Sequence, residues 1–278
     1  MVIIVIKEKI NEKNAGFNGI MYKNDSKDKI VLVFTGIDGG ICYANKIAKF
    51  YAKNNIPALA IPYFNYKGTP KALIHIPIEY IINVVKYLRD LGYKKIGIDA
   101  FSKGTELALN VARITCLDFQ ILRAPSYFNA EGLDEKKVHA NKGCWSYQGK
   151  ELEYTKYEID NFSVIKEFIK HKEYNILKLH QYERINDKSI IDTSNIYNPV
   201  LLLSSKNDKV WPAYNAALIL DSKLSNSIHI SFDHLSHFLL PESSFKLKLI
   251  NKSERRLKKN CKIERRIMNN SIIKFINN

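Results

Sequence analysis

The pentapeptide Ala100-Phe101-Ser102-Lys103-Gly104 sets a serine between two small residues, after an apolar run and before a helical pattern. A serine at the tip of a tight strand-to-helix turn is presented as a nucleophile. Alanine stands where the first glycine of such a turn is usual. Both flanking positions must be small, because chain segments approach closely there, and a serine that merely capped a helix would not need that. A hydroxyl is a weak nucleophile at neutral pH, so the reading requires a base, and an acid to orient the base.

In hydrolases whose nucleophile sits on such a strand-to-helix turn, those partners follow in the order Ser, Asp or Glu, His, on loops after later strands. The run PVLLLS (Pro199 to Ser204) leads into SKNDKVWPA, which offers Asp208 as the acid. The run SIHISF (Ser227 to Phe232) leads into DHLSHFLLP, where His234 and His237 compete as the base. His237 is preferred, because it lies deeper in the loop, with Ser236 before it and apolar residues after it. His229 alternates within its strand and reads as a packed core histidine. Asp233 is a rival acid but follows the last strand rather than the one before. The third requirement is two backbone N–H groups aimed at a tetrahedral oxyanion. Lys103 supplies one. The loop TGIDGG, with Gly36, Gly39 and Gly40, supplies the other through Ile37. Its spacing fits neither the dinucleotide fingerprint nor the P-loop.

Such residues need a frame that brings strand ends together. Short apolar runs recur at Ile30 to Phe34, Pro57 to Ile61, Lys95 to Ala100, Phe119 to Ala124, Pro199 to Ser204 and Ser227 to Phe232. Continuous rather than alternating apolarity predicts strands covered on both faces. Helical spacing lies between them, most clearly from Pro77, with Ile78, Ile81, Ile82, Val85 and Leu88 on one face before Gly92. The alternation predicts an α/β fold with a mostly parallel central sheet and helices on both faces. VIIVIKEK and FNGIMYK are expected to pair as an antiparallel edge. The rhythm breaks from about 126 to 198, where aromatics are plentiful, and an insertion that long reads as a cap or lid. The whole of 1–278 is read as one domain carrying that insertion. The run from Lys252 to Asn278 reads as one helix with a basic, solvated outer face.

The 278 residues are 46% hydrophobic, enough for a substantial core, and 43 Lys+Arg against 28 Asp+Glu give a net charge of +15. That excess favours anionic partners, yet no nucleic-acid-binding signature is visible. Cys42, Cys116, Cys144 and Cys261 form no C-x-x-C pair, so neither zinc nor a disulfide framework is expected, and buried free thiols are. The N-terminal apolar run is too short for a signal peptide core, and no segment approaches the roughly 20 apolar residues of a membrane helix. The expectation is a cytoplasmic enzyme without cofactor or metal, acting on a small molecule.

Several stretches go beyond these patterns: TGIDGG, ALAIPYFNYKGTP followed by IPIEYIINVVKYL, FSKGTELAL, CWSYQGKELEY, NPVLLLSSKNDKVWPA and SHFLLP. Through them the chain resembles the catalytic domain of the acyl-coenzyme A thioesterase and bile acid-coenzyme A:amino acid N-acyltransferase family, over roughly Ile30 to Pro241. The resemblance implies an α/β-hydrolase fold and carries the family's nucleophile, acid and base onto Ser102, Asp208 and His237. Ser205 and Ser236 replace glycines usual in the family, small for small. The amino-acid transferases of the family use cysteine, so Ser102 implies hydrolysis, of an acyl-coenzyme A thioester foremost. A carboxylesterase of the dienelactone-hydrolase-like kind is the alternative, and an acyltransferase a more distant one.

Overall fold

A computed structural model describes residues 5–136, 139–157, 162–180 and 184–278. Eight strands form the central sheet: β1 (Ile6–Ile10), β2 (Gly19–Lys23), β3 (Lys29–Phe34), β4 (Ala58–Ala60), β5 (Lys95–Phe101), β6 (Phe119–Arg123), β7 (Val200–Ser205) and β8 (Ser227–Phe232). Their order is β1-β2-β4-β3-β5-β6-β7-β8. β2 runs antiparallel to both neighbours, and every other pairing from β4 to β8 is parallel. The antiparallel edge forms as expected from Ile6 onward; the start of its first segment lies outside the described residues.

The flanking helices are α1 (Cys42–Lys53), α2 (Glu79–Asp90), α3 (Gly104–Ala112), α4 (Val164–His171), α5 (Ala213–Lys223), α6 (Phe245–Ile250), α7 (Lys252–Arg256) and α8 (Lys258–Asn277). Side chains of β3 alternate between two cores. Ile30, Leu32 and Phe34 pack with Ile81, Val84 and Leu88 of α2, whereas Val31 and Val33 pack with Ala44 and Ile47 of α1 and Met268 of α8. Two apolar faces turn a period of two into a continuous apolar run.

Three expectations are corrected. Pro77 does not open α2: it ends a two-residue strand, Ile76–Pro77, that pairs with Trp145 and Ser146, and the helix starts at Glu79. The basic C-terminal run is not one helix, because it breaks at Leu257, which leaves helical geometry at ψ 42. Cys42 and Cys116 are exposed, and only Cys144 and Cys261 are buried thiols. Among the described residues no helix is long and apolar enough to cross a membrane.

The stretch 126–198 holds a short hairpin (Glu131–Leu133 with His139–Gly143), the strand Trp145–Tyr147, α4 and two 3-10 turns. Parts of it, at 137–138, 158–161 and 181–183, lie outside the described residues.

Candidate active site

Ser102 sits between the end of β5 and the start of α3 with φ at +55°, a left-handed conformation that costs a residue with a Cβ. Its surroundings hold it there. The Ser102 N–H donates to the carbonyl of Arg123 at 2.8 Å, and the Thr105 N–H and hydroxyl donate to the Ser102 carbonyl at 2.8 and 2.7 Å. A Cβ on Gly104 would lie 2.5 Å from the carbonyl oxygen of Thr35, so only glycine fits. Ala100 is fully buried.

The loops after β7 and β8 bring the other two groups to this tip. His237 Nε2 lies 3.0 Å from Ser102 Oγ, and its Nδ1 lies 2.7 Å from Asp208 Oδ2. The other carboxylate oxygen of Asp208 accepts the N–H groups of Val210 and Trp211 at 2.8 and 2.9 Å, which fixes the carboxylate plane. Phe101 and Phe238 pack on the His237 ring, with centroids 5.0 and 5.5 Å away. The rivals are engaged elsewhere: His234 pairs with Glu264 at 2.6 Å, His229 meets the Ser204 hydroxyl at 2.8 Å, and Asp233 pairs with Lys206 at 2.9 Å.

Ser205, one of the serines in a usual glycine position, stitches two of these loops together. Its hydroxyl donates to the carbonyl of Leu235 and accepts the Asn207 N–H at 3.0 Å. Ser236 is buried.

The glycine loop after β3 lies against Ser102. A Cβ on Gly36 would come within 2.8 Å of Ser102 Cβ and 3.1 Å of the Lys103 nitrogen. The loop is held from beneath by the Tyr63 hydroxyl, which donates to the Thr35 carbonyl at 2.7 Å. Ile37 borders Ser102 on both sides, lining a cavity of about 420 Å³ with His237, Tyr43 and Phe238, and a small recess with Lys103, Tyr157 and Trp211. A larger cavity of about 750 Å³ lies behind Asp208 and does not reach Ser102. No group of three or more His, Cys, Asp or Glu side chains among the described residues is placed to hold a metal ion.

Two buried ion pairs that sequence reading missed hold this constellation. Asp99 of β5 and Arg123 of β6 form a bidentate pair at 2.7 and 2.8 Å, joined by the Tyr51 hydroxyl of α1, and Arg123 also donates to the carbonyl of Leu239 at 2.7 Å. The signal was present: a charged residue inside each of two apolar strands. The second pair is Lys103 with Glu106, at 3.0 Å, both buried. Burial opposes the Lys103 charge, but Cys144 and Glu106 outweigh it, so the amine is held above the usual lysine range. Burial pushes the Glu106 carboxyl up, against the pull of Lys103. Glu106 also accepts the indole N–H of Trp145 at 2.9 Å and the Ala130 N–H at 3.2 Å, tying the turn to the 126–198 stretch.

A family model described as BAAT / acyl-CoA thioester hydrolase C terminal matches residues 76–241. The chain belongs to this family. The match spans the serine, acid and histidine positions but begins after the glycine loop, later than the Ile30 start read from the sequence. Solved α/β-hydrolase esterases share the fold. Est1E of Butyrivibrio proteoclasticus, bound to ferulic acid, is 12% identical with a TM-score of 0.56, covering 98% of this chain and 100% of its own. Carboxyl esterase 2 of the mycorrhizal fungus Tuber melanosporum is 14% identical with a TM-score of 0.57, over 99% and 86%. An esterase of Pyrococcus furiosus is 14% identical with a TM-score of 0.55, over 99% and 92%. None of the curated proteins matches the chain. Family and fold together make this family member a hydrolase enzyme.

Proposed function

We propose that the chain hydrolyses an acyl thioester of coenzyme A through an acyl-enzyme on Ser102. The single observation that carries this reading is the hydrogen-bonded line Ser102–His237–Asp208, at 3.0 and 2.7 Å, ending on a serine held at φ +55° beside an apolar cavity. His237 takes the Ser102 proton as the oxygen attacks the acyl carbon, and Asp208 stabilises the imidazolium. The oxyanion is received by the N–H groups of Lys103 and Ile37. His237 then gives its proton to the departing thiolate, and a water deprotonated by His237 cleaves the acyl-enzyme. The cavity lined by Tyr43, Phe238 and Ile250 takes the acyl chain, with Lys246 on its wall. Residues 126–198 act as the cap of a single domain, joined to the nucleophile turn through Glu106 and Trp145.

The test is turnover of a panel of acyl-coenzyme A thioesters against neutral aryl esters across a salt series. Exposed charges are screened beyond roughly 8 Å at physiological salt. Thioester hydrolysis at low substrate is expected to fall as salt rises, with the aryl ester nearly unaffected. Turnover of the neutral ester alone would make the protein a carboxylesterase, and aminolysis outpacing hydrolysis would make it an acyltransferase.

A further inference from the structure

The helices after Pro241 fold into a basic trough that none of the chemistry above uses. A cavity of about 620 Å³ lies between α6 and α8, and Lys248, Lys258, Lys262 and Arg266 line it. Its carboxylate, Glu254, is already committed: it is buried, pairs with Arg265 and accepts the Ser243 hydroxyl at 2.9 Å. Among the described residues none of the four cations has a carboxylate within ion-pair distance. The trough continues across Phe50 and Pro241 into a second recess lined by Lys46, Lys49 and Lys53 of α1 and by Glu242, which pairs with Lys53 at 2.6 Å.

Both walls of the trough carry apolar side chains on their outer edges. At 100° per residue, α6 turns Leu247 into the core, Lys248 into the trough, and Phe245 with Leu249 outward. Phe245 is 77% exposed and Leu249 53%. On α8 the same progression runs from buried Cys261 and Met268, through Lys258, Lys262 and Arg266, to Ile263 and Ile267, which are 61% and 49% exposed. Lys246 and Ile250, on the far side of α6, line the cavity that reaches Ser102. The cationic groups of the trough and the apolar lips beside it therefore stand next to the mouth of the site.

We infer that this α6–α8 face docks reversibly on an anionic lipid surface, with phosphate headgroups in the trough and the four lip side chains in the headgroup–acyl boundary. Aliphatic lips beside clustered lysines are the make-up of an interfacial, non-spanning membrane contact. Charge complementarity selects the occupant. A second copy would set the same four cations against their counterparts, and a nucleic acid would leave the aliphatic lips in water. The inference does not depend on the role of Ser102.

Co-sedimentation of the full chain with phosphatidylcholine vesicles, with and without phosphatidylserine, tests it. The expected result is binding only when phosphatidylserine is present. Each cation near the surface is worth about fivefold in partitioning, so Lys248→Gln/Lys262→Gln/Arg266→Gln should weaken binding on the order of a hundredfold. The lip variant Phe245→Ser/Leu249→Ser/Ile263→Ser/Ile267→Ser should also release the protein. Both variants should keep wild-type hydrolysis of a water-soluble short-chain ester, which reports that they fold, and Lys248→Arg/Lys262→Arg should bind vesicles like the parent. Equal binding to neutral vesicles, no binding to either, or full binding by the glutamine variant would overturn the inference. So would binding that tripolyphosphate displaces and the lip variant retains, because the trough would then be a site for a soluble phosphate.

Discussion

The guanidinium of Arg123 joins Asp99 to the carbonyl of Leu239, two residues beyond His237, so one buried side chain links two central strands to the histidine loop. Arg123 and Asp99 are both fully buried, and neither has solvent to fall back on. Removing one partner leaves an uncompensated charge, at a cost of about 3–5 kcal/mol. Arg123→Met should therefore lower the denaturation midpoint strongly, and its folded fraction should hydrolyse more slowly because the His237 loop loses its anchor. Asp99→Leu/Arg123→Met should recover part of the stability. Urea melts of the three proteins decide it, and an unchanged midpoint in Arg123→Met would dismiss the pair as a clamp.

Two substitutions at Ser102 separate chemistry from backbone strain. Ser102→Ala and Ser102→Gly should both lose activity by on the order of 10⁶ and both lose labelling by a fluorophosphonate. Stability should divide them. Glycine accepts the φ of +55° without a Cβ penalty, so it should exceed alanine by about 1 kcal/mol. Equal melting temperatures would mean that the turn is relaxed, and retained activity in the alanine variant would end the serine mechanism.

Gly36→Ala should damage turnover more than folding. The added methyl would meet Ser102 Cβ at 2.8 Å, so the glycine loop must retreat from the serine. Overpacking of this kind costs about 1–3 kcal/mol in stability, while the N–H of Ile37 moves off the position proposed for the oxyanion. A fall in kcat of about 10² or more with a modest change in melting temperature is expected. Wild-type kcat would remove the loop from the reaction.

Acid should destabilise the protein partly through His180. Burial, then the charge of Lys103, holds this imidazole well below its ordinary 6.5, so the folded state keeps it neutral. The unfolded chain takes up the proton below about 6.5, so stability should be full above that pH and decline as pH falls beneath it. His229 is shifted the same way by burial and adds to the slope. His180→Gln should flatten the stability profile between pH 7 and pH 5, as read from melts at each pH. An unchanged slope would assign the acid lability elsewhere.

The positions of the strands and of the three candidate residues were legible in the sequence because they rest on local constraints, but β8, read as covered on both faces with His229 in the core, is buried only at Phe232. A strand covered on both faces must be apolar throughout, as IVLVF and PVLLLS are, and a tight strand-to-helix turn must have small neighbours, as Ala100 and Gly104 are. The order Ser102, Asp208, His237 is the one that hydrolases with this nucleophile turn use, and each residue follows a strand that the sequence pattern marks. His237 was separable from His234 by position alone, and the structure gives the physical difference: a carboxylate from α8 engages His234, whereas Asp208 and Ser102 engage His237.

Other features depended on contacts between distant segments, which local patterning does not encode. Pro77 satisfies the rules for a first helical turn, but pairing with Trp145 makes it the end of a strand. The basic C-terminal run has helical spacing throughout, yet the folded chain breaks it at Leu257, and Lys258, Lys262 and Arg266 beyond the break line a trough with Lys248. Asp99, Glu106 and Arg123 are ionic residues in apolar surroundings. Their presence was visible in the sequence, and Glu106 meets Lys103 only three residues away, but Asp99 and Arg123 lie on different strands, and only tertiary packing brings those two charges together.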